Sequence, residues 1–158
     1  MSRRQNLYVG RAGQMAVMSE FLWRGWNVAV PEVDVGDDIF VVKDDDGELW
    51  RVQVKAATAQ PQRAGSSAQF SISVEQLESA RTPDLVYVFA IRNAGWWETF
   101  VVIERRVLWR EHKAYGVGSV SDGNLILRFS IQDSKLQCSS RDFLAYRNDW
   151  SRWPVLAH

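Results

Sequence analysis

The chain has very few of the residues that build the commonest small catalytic and metal sites. It contains one cysteine, Cys138, and two histidines among its 158 residues. A single thiol cannot form an internal disulfide or supply a Cys-rich zinc site. A Cys-His nucleophile pair has little support, because a lone cysteine is more often a small buried apolar residue. Such low cysteine usage is typical of a reducing compartment, and we predict a cytoplasmic protein.

Long apolar runs and an excess of one charge are also missing. No segment approaches the ~20 apolar residues that a membrane span needs, and no apolar signal region follows Arg3 and Arg4. The 19 basic residues balance the 19 acidic residues. The sequence therefore predicts no membrane contact. It also lacks the overall basic charge of many nucleic-acid-binding proteins, although a local basic patch stays open.

The remaining features are those of an ordinary globular protein. Apolar residues make up 46% and charged residues 24% of the chain, and both shares are typical of globular domains. The length predicts one domain over residues 1–158. Helical and strand patterns alternate along the chain, which favours an α/β fold with a mixed sheet flanked by helices.

Hydrophobic periodicity and turn residues predict the individual elements. Ser73 and Gln76 form a capping-box pattern at the start of one helix, whereas Pro61 and Gly65 favour an irregular loop. The predicted helices cover residues 12–23, 73–81, 104–111 and 140–150. The predicted strands cover residues 26–30, 38–42, 49–55, 69–71, 84–91, 98–103 and 124–131, and the predicted loop covers 57–67.

The strands at 38–42 and 49–55 predict a hairpin that gathers polar side chains. The turn signal is Asp44-Asp-Asp-Gly47, and pairing about its midpoint sets Asp38 opposite Gln53. Opposed residues point to the same face, and Lys55 shares that face with Gln53 because side chains alternate along a strand. Asp37 is predicted on the other face; a β-bulge would exchange the two aspartates.

This group of side chains suits metal-assisted phosphodiester hydrolysis. Mg²⁺ prefers oxygen ligands, and Asp38 offers a carboxylate, Gln53 a side-chain carbonyl and Val54 a backbone carbonyl. Lys55 can orient water and balance charge as the bond breaks. The simpler alternative is that Gln53 and Lys55 only face solvent, while Asp38 helps to start its strand.

Three segments resemble the PD-(D/E)xK nuclease superfamily: Gly13–Val28, Asp38-Ile-Phe-Val-Val and Val52-Gln-Val-Lys55. The resemblance covers about residues 10–92. Within the superfamily the chain is most similar to uncharacterised bacterial proteins with a Gln-Val-Lys motif and to archaeal Holliday-junction resolvases.

The resemblance implies a restriction-endonuclease-like sheet with an αβββαβ core. Asp38 matches the metal-binding aspartate, Gln53 takes the place of the second acidic ligand, and Lys55 matches the catalytic lysine. Gln14 matches a glutamate that many members carry early in the first helix. The implied function is a DNA endonuclease with weakly bound Mg²⁺ or Mn²⁺, acting on DNA that includes branched or distorted forms, with a homodimer as one arrangement.

Two alternatives come from other functional classes. Gln14 and Gln53 both stand where the family pattern has acidic residues, and this favours a catalytically silent nuclease-like domain that binds nucleic acid or a protein partner. The neutral net charge is also compatible with a partner protein that makes no nucleic-acid contact.

Overall fold

The first helix, α1, spans Arg3–Trp23 in the computed structural model, which describes residues 2–33 and 35–157. It begins well before the predicted start at residue 12 because Ser2 caps it. The Ser2 hydroxyl accepts a hydrogen bond from the Gln5 N–H, and the Gln5 side chain accepts one from the Ser2 N–H. The buried residues of α1 lie only in its second half, so its exposed first turns give no hydrophobic period.

The other elements alternate strands with two short helices. In chain order they are β1 (Asn27–Ala29), β2 (Ile39–Val42), β3 (Leu49–Thr58), β4 (Gln60–Pro61), β5 (Ser66–Ser73), α2 (Val74–Glu78), β6 (Leu85–Asn93), β7 (Trp96–Glu104), α3 (Arg105–Tyr115), β8 (Ser119–Ser121), β9 (Asn124–Gln132), β10 (Lys135–Cys138) and β11 (Arg141–Asp142). A 3₁₀ helix at Leu144–Tyr146 follows. The predicted α/β class is confirmed.

Five strands form a mixed sheet in the order β1-β2-β3-β6-β7, which we call the first sheet. Strands β3 and β6 are parallel and the other neighbours antiparallel. Helix α1 packs on one face of this sheet, and Val17 and Phe21 are fully buried against it. Trp150 and Trp153 join the same core, where both rings contact Phe21 edge-on.

The other strands form a second sheet in the order β11-β10-β9-β5-β4, with β8 paired to β9. Its inward side chains and the second face of the first sheet enclose another core. There the ring of Phe89 from β6 lies 5.0 Å from that of Phe70 on β5 and 5.5 Å from that of Phe129 on β9. Leu108 of α3 is fully buried in this core. The layers are therefore helix, first sheet and second sheet.

Two predicted segments are wrong. The 57–67 segment is not a loop, because residues up to 58 continue β3 and residues from 66 belong to β5. The helix predicted over 140–150 is replaced by β11 and the 3₁₀ helix. Ser139 and Ser140 have φ of 49° and 65°, a left-handed conformation that closes the β10–β11 turn and cannot start an α-helix.

None of the helices in the described part of the chain is long and apolar enough to cross a membrane.

The contact between α1 and β3 gives a test of what positions this helix. A Cβ at Gly13 would lie 2.3 Å from the Ala56 Cβ, whereas a Cβ at Gly10 would meet nothing within 4 Å. We expect Gly13→Ala to lower the free energy of unfolding by about 1–3 kcal/mol, because the helix must move off the sheet. Gly10→Ala, the matched control, should raise it by up to about 1 kcal/mol through helix propensity. Urea unfolding measures both; equal effects would contradict the proposed close contact.

Candidate functional site

The β2–β3 hairpin has the predicted turn and register. The Lys43 N–H donates to the Glu48 carbonyl at 2.9 Å across the turn at residues 44–47, and Ile39 pairs with Val52. The Asp38 N–H, just before β2, donates to the Val52 carbonyl at 2.9 Å. This register continues to Asp38 opposite Gln53.

Asp38 and Gln53 are in direct contact at this end of the hairpin. One carboxylate oxygen of Asp38, Oδ2, accepts a hydrogen bond from the Val54 N–H at 2.6 Å and another from the side-chain amide of Gln53. Gln53 is only 5% exposed, so it is not the solvent-facing side chain of the simpler alternative. The β2–β3 pairing therefore holds an acidic side chain against a buried amide.

Gln14 reaches the same position from α1. Its side-chain NH₂ donates to the Asp38 backbone carbonyl at 2.8 Å, and its carbonyl accepts from the Arg11 guanidinium at 2.7 Å. Gln14 therefore lies beside Asp38, as the resemblance implies, and it bonds to the Asp38 main chain. This contact brings the exposed Arg11 to the edge of the site.

A hydrogen-bonded chain extends from Gln53 into the protein. The Gln53 Oε1 accepts from Gln76 Nε2 at 3.1 Å, and the Gln76 Oε1 accepts from the Tyr87 hydroxyl at 3.1 Å. Burial raises the pKa of Tyr87 far above its ordinary value, so the phenol stays protonated and acts as a donor. Gln76 Nε2 also donates to the Gly36 carbonyl at 2.6 Å. This bond sets which end of the Gln76 amide faces Gln53, and so it sets the donor-to-acceptor direction of the hydrogen bonds from Tyr87 to Gln53.

Gln76 is a site residue that the sequence analysis missed. Its backbone N–H does donate to the Ser73 hydroxyl at 3.2 Å, as in a capping box. Its side chain turns away to Gly36 and Gln53, which lie 40 and 23 residues distant in sequence. The sequence signal was correct for the helix start, and it gave no sign of this second role.

The chain of donors directs the NH₂ of Gln53 toward Asp38 and its oxygen toward Gln76. The predicted role as a metal ligand needs the oxygen on the Asp38 side, and this requires a half-turn of the amide. That half-turn would set the NH₂ groups of Gln53 and Gln76 against each other, because the Gly36 carbonyl keeps the Gln76 NH₂ in place. The arrangement thus stabilises Gln53 as a donor to Asp38.

The neighbouring aspartate has a different environment. The Asp37 side chain is fully buried, and its two oxygens pair with Arg51 at 2.7 Å and Arg81 at 2.9 Å. Each arginine side chain is 27% exposed. Asp37, the reserve candidate of the sequence analysis, is thus held in a buried ion-pair cluster, while Asp38 contacts Gln53 and the main chain of Val54.

An open cleft of about 450 Å³ lies beside this network. Gln53 and Lys55 of β3 line one side, and Ser71 of β5 and Asn124 of β9 line the other. Lys55 is half-buried. Glu75, Gln76 and Arg81 complete the lining. The cleft therefore lies where residues of both sheets meet, and it brings the cations Lys55 and Arg81 and the carboxylate of Glu75 beside the Asp38–Gln53 contact.

A hard cation bound at this position would have few protein ligands. Asp38 supplies one carboxylate, and Val54 offers a backbone carbonyl on the same side of β3 as the N–H that Asp38 accepts. Residues 2–33 and 35–157 contain no group of three His, Cys, Asp or Glu side chains that could hold a metal ion. Oxygen donors match Mg²⁺ or Mn²⁺, and the single carboxylate makes the expected affinity low.

Comparisons with known proteins give a structural relative only. No family model matches the chain, and no curated protein matches it significantly. Among solved structures, that of the bacterial homing endonuclease I-Ssp6803I is similar, with a TM-score of 0.57 and 18% sequence identity. The match covers 92% of this chain and 90% of the other. This chain therefore has a nuclease-like α/β fold.

Proposed function

We propose that this chain is a metal-dependent endonuclease that hydrolyses phosphodiester bonds in DNA. The observation that carries the proposal is the contact of Asp38 with Gln53 at the edge of a cleft that Lys55 also lines. The fold similarity to a homing endonuclease supports it, since that protein is named as a nuclease. The resemblance of residues 10–92 to the PD-(D/E)xK superfamily supports the same assignment for Asp38, Gln53 and Lys55.

Each residue has a chemical role in this proposal. Asp38, the Val54 carbonyl and a rotated Gln53 would hold Mg²⁺ or Mn²⁺. A bound divalent ion polarises the phosphate and lowers the pKa of its bound water. The Lys55 ammonium donates hydrogen bonds to the attacking water and to the phosphate oxygens as negative charge develops. Gln14 fixes the main chain that carries Asp38.

A second candidate function is a silent nuclease-like domain that binds nucleic acid or a protein partner. The donor chain from Tyr87 to Asp38 favours it, because it occupies Gln53 in a way that opposes metal binding. A preference for branched or distorted DNA and a homodimer also stay predictions. A homodimer would place one site on each strand of a duplex.

A cleavage assay separates the two functions. We expect the protein with Mn²⁺ or Mg²⁺ to cut linear, single-stranded or four-way-junction DNA, and chelation by EDTA to stop the reaction. Lys55→Ala should lower the rate by at least about 100-fold, because it removes the group that stabilises the transition state. Arg110→Ala, at an exposed position on α3, is the control and should cut normally. If no DNA is cut with either metal, the silent domain is the better interpretation.

The two neighbouring aspartates should respond oppositely to the same substitution. Asp37→Asn should lower the free energy of unfolding by about 2–4 kcal/mol, because it leaves Arg51 and Arg81 without a charged partner. Asp38→Asn should change it by less than about 1 kcal/mol, since the amide oxygen still accepts from the Val54 N–H. Only Asp38→Asn should abolish cleavage at a temperature where both variants are folded. Activity retained by Asp38→Asn and lost by Asp37→Asn would reverse the assignment.

Gln53→Glu tests the metal site without relying on cleavage. A carboxylate at position 53 keeps the bond from Gln76 and sets two negative groups together, so the metal-free protein should unfold at a lower temperature. Mn²⁺ at about 100 times the Kd of the Gln53→Glu variant should raise that variant's free energy of unfolding by about 2.7 kcal/mol. At the same Mn²⁺ concentration the wild type should gain less. Gln60→Glu, at an exposed position on β4, should match the wild type. Equal metal responses in all three proteins would argue against a site at Asp38 and Gln53.

A further inference from the structure

The outward face of the second sheet has an unusual set of side chains, and we call it the β5–β9 face. Its central positions are Ser67, Gln69 and Ser71 on β5 and Arg128 and Ser130 on β9. All five are at least partly exposed, while the residues between them are buried in the second core. β-Branched and aromatic residues are the ones that favour strands, and Ile126, the cross-strand partner of Ser71, is the one residue of that kind beside these five. The five polar positions form the solvated side of an antiparallel sheet, so the fold leaves their individual identities free.

The charge on this face is also one-sided. Arg128 and, on β10, Lys135 point outward, and the described strands β4, β5, β8, β9 and β10 contain no Asp or Glu. Carboxylates stand around it: Asp122 and Asp133 lie in turns, Asp142 on the edge strand β11 accepts from the Leu144 N–H, and Glu75 of α2 lines the cleft that Ser71 also lines. The whole chain has equal numbers of acidic and basic residues, so this face departs from the average. Its charge suits a polyanion.

One hollow joins the face to the candidate site, and another lies on the face itself. Ser71 lines the cleft that also contains Lys55. Ser67, Arg128 and Ser130 line a second hollow of about 380 Å³ that opens on the same side of the sheet. Ser67 and Ser71 are four residues apart on one strand, which is about 13 Å. That length corresponds to about four base pairs of duplex DNA.

Arg128 and Gln69 are preorganised for contact with base edges. They face each other across the two strands, and the Arg128 Nη2 donates to the Gln69 Oε1 at 2.7 Å. This bond occupies the Gln69 Oε1 and one guanidinium N–H, so the pair offers the Gln69 NH₂ and the other guanidinium N–H groups as donors. Donors match the N7 and O6 acceptors of guanine in the major groove, which admits a two-stranded β-ribbon, whereas a bidentate contact to adenine requires Gln69 to release Arg128.

We propose that the β5–β9 face reads the base sequence of duplex DNA next to the cut, with Gln69 and Arg128 as the specificity-determining residues. This inference rests on the proposed endonuclease function and adds a recognition surface to it. The positions that are read lie next to the cleaved bond, because Ser71 of the same face lines the cleft that contains Lys55.

The test uses Lys55→Ala, which should bind DNA without cutting it, and a pool of duplexes with a randomised central segment. Sequencing of the bound fraction should give a preferred sequence, and wild-type cleavage of that duplex locates the cut. Adding Gln69→Ala and Arg128→Ala to Lys55→Ala should lower the preference at neighbouring positions by at least about tenfold. Binding to duplexes of random sequence should fall less than about threefold.

Two further variants separate base reading from charge and from folding. Arg128→Lys should keep the affinity for random duplexes and its salt dependence, yet lose the base preference, because lysine lacks the planar fork of arginine. Arg110→Ala should change neither. Circular dichroism should show that all variants are folded.

An unchanged preference in the double variant, or duplex binding with no preferred sequence, would overturn the recognition surface and leave the endonuclease function standing. Absence of both DNA binding and cleavage in the wild type would overturn the endonuclease function, and the recognition surface with it.

Discussion

The register of β2 on β3 is the constraint on which both the core and the candidate site depend. Side chains alternate between faces along a strand, so a shift by one residue would exchange every inward and outward position of β3. In the observed register Val52 and Val54 are buried under α1, and Gln53 faces Asp38. A one-residue slip that removed Gln53 from Asp38 would also take two valines out of the core. The free energy of the apolar core therefore holds the polar contact in place.

This coupling explains why the hairpin was predictable and the surrounding structure was not. The turn at residues 44–47 and the period of two are local signals, and together they placed Asp38, Gln53 and Lys55 correctly relative to one another. The environment of Asp37 depends on Arg81, which is 44 residues away, and the role of Gln76 depends on contacts of similar range. No local pattern distinguishes a capping glutamine from one that also bonds to a distant strand.

The second sheet was predicted only in part, for a different physical reason. Strand β9 and the middle of β5 were predicted, whereas β4, β8, β10 and β11 were not, because they have two to four residues each and are too short to show an alternating pattern. The left-handed serines at 139 and 140 close a turn that usually uses glycine or asparagine. Likewise, the first turns of α1 lack a buried face, and only the Ser2–Gln5 capping pattern marks their start. In each case the unusual residues sit on the surface, where folding leaves their identity free.

That freedom separates two kinds of polar residue in this protein. Asp37 and Gln76 are buried or half-buried and fully bonded, and the fold requires them because an unpaired polar group there would cost free energy. Gln69 and Arg128 are exposed and bond mainly to each other, so the fold does not require them. On our proposal, the first set builds the cleft and the second set selects the DNA. Recognition by hydrogen bonds from a nearly acid-free face also removes the need for a large excess of basic residues, which makes the neutral net charge compatible with DNA as the partner.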